Sequence, residues 1–153
     1  RLMHGYQHTA INLSATALAA FPLALSGRPI TAAAFTAGML FGTLLVTPDL
    51  DLKLNDARRR WGRLRFIWTP YATFSRHRGA SHTYLLGPTV RLAYLLLWLC
   101  PIIALCQGAI RTFIADLAPE VIVITAAGYY AAQWLHLVCD GILPFNSRGR
   151  RAR

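Results

Sequence analysis

The chain has 153 residues, the size of one domain, with 55% hydrophobic residues, only 14% charged residues and a mean hydropathy of +0.39. That balance excludes intrinsic disorder and leaves too little polar sequence to clothe an ordinary soluble globule. The net charge is nevertheless +10, from 16 basic against 6 acidic residues, so the apolar and basic properties must be segregated along the chain.

Four uncharged runs carry the apolar part: Thr9–Ser26, Ile30–Pro48, Leu92–Ile110 and Val121–Cys139. A helix needs about 20 residues to cross a ~30 Å hydrocarbon core at ~1.5 Å per residue, and each run is close to that length. The predicted fold is all-α, a four-helix transmembrane bundle forming a single integral membrane domain over 1–153. Its helices are expected at about 9–26, 30–48, 84–110 and 120–140. The break Gly27-Arg28-Pro29 predicts a tight turn between the first two. Alanine, glycine, serine and threonine crowd both of these helices and permit close approach. Pro22 and Pro101 predict kinks or helix ends.

The charge lies between and after the helices. The loop 49–83 holds Lys53, Arg58, Arg59, Arg60, Arg63, Arg65, Arg76 and Arg78, and the basic tail 144–153 adds four arginines. The connection 111–120 has Arg111 against Asp116 and Glu120. The positive-inside rule then places the loop between helices 2 and 3, and both termini, in the cytoplasm. Trp61, Phe66, Trp68, Tyr71 and Phe74 interleave with the loop arginines. This pattern reads as aromatics at headgroup depth beside anionic lipid, in preference to a nucleic-acid surface. Cys100, Cys106 and Cys139 fit no zinc-knuckle spacing and read as reduced packing thiols.

All five histidines and three of the six acids fall at the cytoplasmic ends of these helices. His4 and His8 precede or open the first, and Asp49 and Asp51 follow the second. His77 and His82 precede the third, and His136 and Asp140 close the fourth. The i,i+4 spacings of His4/His8 and of His136/Asp140 put each pair on one helix face. Imidazole with carboxylate suits zinc, with manganese or iron as alternatives, and eight groups suffice for one or two ions with open positions for water.

The ordered motifs Pro48-Asp49-Leu50-Asp51, His77-Arg78-Gly79-Ala80-Ser81-His82-Thr83 and His136-x-x-x-Asp140 resemble the YdjM-like family of membrane-bound metal-dependent hydrolases. The stretch from Arg60 through Tyr71 is similar to a related, uncharacterised group of metal-binding membrane proteins. The likeness covers about residues 4–142. It implies His8, Asp49, Asp51, His77, His82, His136 and Asp140 as the metal-binding set. In the closer group the early histidine is followed by Asp, whereas this chain has Thr9: either His4, one turn earlier, substitutes as a ligand, or the site has lost a ligand and some activity. The family is distantly similar to zinc phospholipase C and to zinc nucleases that cleave phosphoesters.

The expected function is therefore metal-assisted hydrolysis of a phosphoester in a lipid or lipid-linked substrate, at the cytoplasmic leaflet of the bacterial inner membrane. Metal lowers the pKa of a bound water from ~15.7 to about 7. An unligated oxygen of Asp49 or Asp51 would orient that water, and Arg78 would grip the phosphate by a two-point contact. Arg60–Arg65 would draw anionic headgroups to the site. The rival expectation is a non-catalytic subunit of a larger membrane protein complex, with the cluster as a structural or vestigial metal site. A small metal or proton transporter ranks last, because the spans hold few deep polar groups beyond Asn12 and Gln133.

Overall fold

A computed structural model describes residues 5–52, 55–75 and 82–143. His4, His77, Arg78 and the tail 144–153 lie outside the described residues. The described chain is all-helical. The helices are α1 (Gly5–Leu25), α2 (Pro29–Leu40), α3 (Asp56–Arg60), α4 (Trp68–Phe74), α5 (Leu86–Leu105), α6 (Gln107–Asp116) and α7 (Pro119–Cys139). Four segments are long and apolar enough to cross a membrane: Gly5–Leu25, Pro29–Asp51, Leu86–Leu105 and Pro119–Cys139. Large apolar side chains such as Leu18, Phe21, Leu97 and Val123 stand exposed on them, as lipid-facing helices require.

The turn expected at 27–29 forms. Gly27 takes a φ of +76°, which lets Arg28 N–H reach Leu23 O (3.1 Å) and Gly27 N–H reach Ala24 O (3.2 Å). These two bonds close the end of α1, and Pro29 opens α2, where its missing N–H costs nothing. Pro22 and Pro101 sit inside α1 and α5.

α2 and α7 approach most closely through two glycines. A Cβ on Gly38 would lie 2.0 Å from Thr125 O, and one on Gly128 would lie 2.3 Å from Phe35 O, so the backbones themselves are in contact there. α1 joins this pair by a buried face at i, i+4, i+8, namely His8, Asn12 and Thr16. Asn12 Nδ2 donates to Thr43 Oγ1 (3.2 Å) and to Ala132 O (3.1 Å), which fixes the register of α1 against α7. α5 meets α7 mainly through its first turns: Tyr129 hydroxyl donates to Pro88 O (3.0 Å), and Arg91 Nη2 donates to Gln133 Oε1 (2.8 Å).

Three features differ from the sequence reading. The helix expected over 84–110 breaks at Cys106 (φ −103°, ψ 16°), and the following connection is itself helical, as α6. Nothing stops that helix before Leu117-Ala118-Pro119, because the residue before a proline is pushed to extended geometry. The loop 49–83 is likewise largely helical where described. Asn55 caps α3 by accepting from Arg58 N–H (2.7 Å), and a 3-10 turn, Gly62–Ile67, leads into α4. Finally, Trp68 and Tyr71 are core residues, packed with Trp61 and Tyr94, and offer lipid headgroups no exposed face. Phe66 and Phe74 do remain exposed.

Candidate metal centre

The last turn of the second span departs from α-helix in two steps, and both have sequence causes. Phe41–Leu45 widens into a π turn, in which Val46 N–H reaches back five residues to Phe41 O (3.0 Å). Gly42 makes room for α7 here, since a Cβ on it would lie 2.9 Å from both Ala132 Cβ and Gln133 Nε2. The widening frees carbonyls that need partners, and Gln133 Nε2 donates to both Gly42 O (3.2 Å) and Val46 O (2.7 Å). Gln133 and Arg91 are both fully buried, at 0% exposure. They form one polar strut from α5 through α7 to the base of the Asp49 segment.

Pro48 then starts a 3-10 turn, Pro48–Asp51. At 3.0 residues per turn, side chains two apart diverge by about 120°. Asp49 and Asp51 therefore point in different directions while Leu50 anchors the turn in the core. Asn55 Nδ2 donates to the carbonyls of Asp49 and Leu52, tying the turn to α3.

α7 supplies His136 and Asp140 on one face. The helix is stopped by Gly141 (φ +73°), with Ile142 N–H to Leu137 O and Gly141 N–H to Val138 O, both 2.9 Å. Asp140 is thereby the C-cap, where the helix dipole disfavours a carboxylate. Its presence there needs another reason than helix stability, and the neighbouring imidazoles provide one.

Five of the expected residues gather at one place, in two groups that share His136. His8 Nε2 lies 3.3 Å from Asp140 Oδ1. His136 Nε2 lies 3.5 Å from both Asp49 Oδ1 and Asp140 Oδ2. His82 Nε2 lies 3.9 Å from Asp140 Oδ2. The rings of His8 and His136 stack at 4.1 Å. Two groups of donors, His8/His136/Asp140 and Asp49/His82/His136, each have ligand atoms within 4.8 Å of one another. Donors at tetrahedral corners ~2.1 Å from an ion sit about 3.4 Å apart, so these separations suit a small divalent metal. They are long for hydrogen bonds, and the buried His136 Nε2 makes none of good geometry. Burial alone would raise the Asp140 carboxyl, but the imidazoles of His136 and His8 outweigh it and hold Asp140 well below the usual carboxylate range.

Asp51 lies outside both groups. Its Oδ2 is 3.5 Å from His82 Nδ1, on the ring edge facing away from Asp140, where a carboxylate favours the tautomer that presents Nε2. His4, His77 and Arg78 lie outside the described residues. Thr9 turns to Arg60, whose Nη2 donates to its hydroxyl (3.1 Å), and five of the expected groups converge without it. The sequence reading passed over the support: Asn12, Thr43, Arg91 and Gln133. The available signal for Arg91 is a lone charge inside the predicted helix 84–110, since ionisable residues within spans carry function by default.

Comparison with known proteins agrees with the donor chemistry. A protein of Aquifex aeolicus (strain VF5), described as uncharacterized, is 48% identical over 61 residues, covering 40% of this chain. Those residues are 43% of that protein, so the chain spans less than half of its relative's length. No solved structure matches. The profile of one family matches residues 3–150, nearly the whole chain. The chain therefore belongs to the family described as uncharacterized metal-binding protein (DUF2227).

Proposed function

We propose that the chain is a membrane-embedded, metal-dependent hydrolase of the YdjM-like kind, acting on a phosphoester of a lipid or lipid-linked substrate at the cytoplasmic leaflet. The observation that carries this reading is the convergence of His8, Asp49, His82, His136 and Asp140 from four separate segments at one end of four apolar spans. The basic loop and tail sit at that same end in sequence, which supports a cytoplasmic orientation in a bacterial inner membrane.

His136 Nε2 belongs to both donor groups, and one imidazole nitrogen binds one metal, so this arrangement favours a single ion, with zinc the best match to its donors. A bound divalent ion supplies Lewis acidity, polarising a phosphoryl oxygen and acidifying a water. The chain's own residues do the rest. Asp51 holds His82 from behind, and the His8–His136 stack holds two rings in place. Asp49 has the most exposed side chain of the cluster, at 19%, and its free oxygen would orient water and take its proton. Arg78 would hold the phosphate, as its place beside His77 in the motif implies.

The test is elemental analysis of purified protein alongside turnover of phosphodiester substrates. Metal with turnover, both lost in His136→Ala, supports the reading. A second reading, a structural metal site in a membrane complex, draws on the deep burial of His82 and His136. It predicts bound metal, no turnover, and loss of assembly in the same variant.

A further inference from the structure

A second site lies in the segment that follows the ligand turn. α3 and the 3-10 turn after it enclose a cleft of about 550 Å³, lined by Arg58, Arg59 and Arg65 with Asn55, Phe66 and Thr69. One acid also lines it, Asp56, 3.9 Å from Arg59 Nη1, so the cleft keeps a positive excess. Arg58 is mostly buried, with Nη2 donating to Thr69 Oγ1 (2.8 Å) and Arg65 O (3.3 Å). Its guanidinium is held in a fixed pose at the cleft wall, while Arg59 and Arg65 stand exposed above it. Guanidinium groups arranged in this way match the oxygens of a phosphate.

Position decides where the phosphate comes from. Phe66, 55% exposed, packs edge-on against Trp98 of α5 at 5.9 Å, and the Tyr94 hydroxyl of the same helix donates to Ile67 O. Tyrosine and tryptophan concentrate where a protein meets the headgroup layer. The cleft thus sits beside Trp98 on a helix long and apolar enough to cross a membrane, with exposed Ile102 one turn further along the same face, so a phosphate carried on acyl chains can satisfy both surfaces together.

We propose that this cleft binds the headgroup phosphate of an anionic phospholipid, its acyl chains lying along Phe66 and α5. The site rests on the membrane-spanning reading of α5 and is independent of the metal. The full-length protein in detergent micelles is titrated with dihexanoyl phosphatidylglycerol, dihexanoyl phosphatidylcholine and inorganic phosphate, with bound ligand counted by native mass spectrometry. Phosphatidylglycerol is expected to bind saturably and in preference to the other two. The double variant Arg59→Gln/Arg65→Gln, which removes two exposed charges, is expected to weaken it about 30-fold. Arg58→Gln is expected to weaken it further, and the double variant decides the question if that one misfolds. Equal binding of inorganic phosphate would make this a free-anion site and overturn the lipid assignment. Equal binding of phosphatidylcholine, or undiminished phosphatidylglycerol binding by the double variant, would overturn the site itself.

Discussion

A single methyl group in the α2–α7 seam, remote from every candidate ligand, should disable the metal centre. A Cβ at Gly38 would lie 2.0 Å from Thr125 O and 2.8 Å from Tyr129 N, against ordinary contact beginning near 3.4 Å. Backbone atoms form that obstacle, so no rotamer change relieves it, and the helices must separate by about 1.4 Å. Asp49 rides on the end of the α2 span, and His136 is on α7, with Nε2 3.5 Å from Asp49 Oδ1. Metal bonds tolerate only about ±0.2 Å, so a separation of this size detaches one side of the ligand set. Gly38→Ala is expected to cost about 1–3 kcal/mol in folding stability and 10–100-fold in metal affinity. Gly108→Ala is the control: nothing lies within 4 Å of its Cβ position, so both quantities should be unchanged. Chelator competition gives the affinity, and thermal unfolding followed by circular dichroism in detergent gives the stability. A Gly38→Ala protein with wild-type affinity would refute the claim that this seam sets the metal geometry.

Other outcomes follow from the same structure. Gln133→Leu strands Gly42 O and Val46 O and leaves Arg91 without its 2.8 Å acceptor, so a loss of about 3–5 kcal/mol in stability is expected, with Gln133→Glu less damaging because it keeps that acceptor. Asp51→Asn should retain metal but weaken it about 10–100-fold, since Asp51 stands behind His82, whereas His136→Ala should abolish binding. Because the imidazoles must be neutral to bind metal, affinity should fall as pH is lowered. Asp140, held ionised by His136 and His8, should not be the group that protonates first, and a release midpoint near pH 4 would contradict this. The proposed cytoplasmic orientation of the basic loop and tail predicts that a C-terminal fluorescent fusion is bright and a C-terminal alkaline phosphatase fusion inactive.

Much of the fold is legible in the sequence because a bilayer imposes a simple rule. On the reading that they cross a bilayer, uncharged runs of nearly 20 residues must be helices whose ends alternate sides, so Thr9–Ser26 and Val121–Cys139 predict α1 and α7 to within a few residues. The gathering of His8, Asp49, His82, His136 and Asp140 follows from the same parity, as each closes or opens a span at one face. What that argument does not reach is the direction of each side chain. Asp49 and Asp51 look equivalent in sequence, and only the 3-10 geometry after Pro48 turns one to His136 and the other to the back of His82. The polar strut is hidden for a related reason. Arg91 and Gln133 are 42 positions apart, and their pairing depends on how α5 leans on α7 and on carbonyls freed by the π turn at Phe41–Leu45. The aromatic loop misleads because Trp68 and Tyr71 have the composition of an interface belt, yet they are drawn inward against Val46 and Leu50.

The central claim, that these five residues form one metal site, is tested most directly by the metal content of protein purified in detergent without added metal or chelator. About one divalent ion per chain is predicted, falling to background in His136→Ala and in His8→Ala/Asp140→Ala. A fully helical wild-type protein that carries no metal, and takes up none when zinc, manganese or iron(II) is supplied, would contradict it.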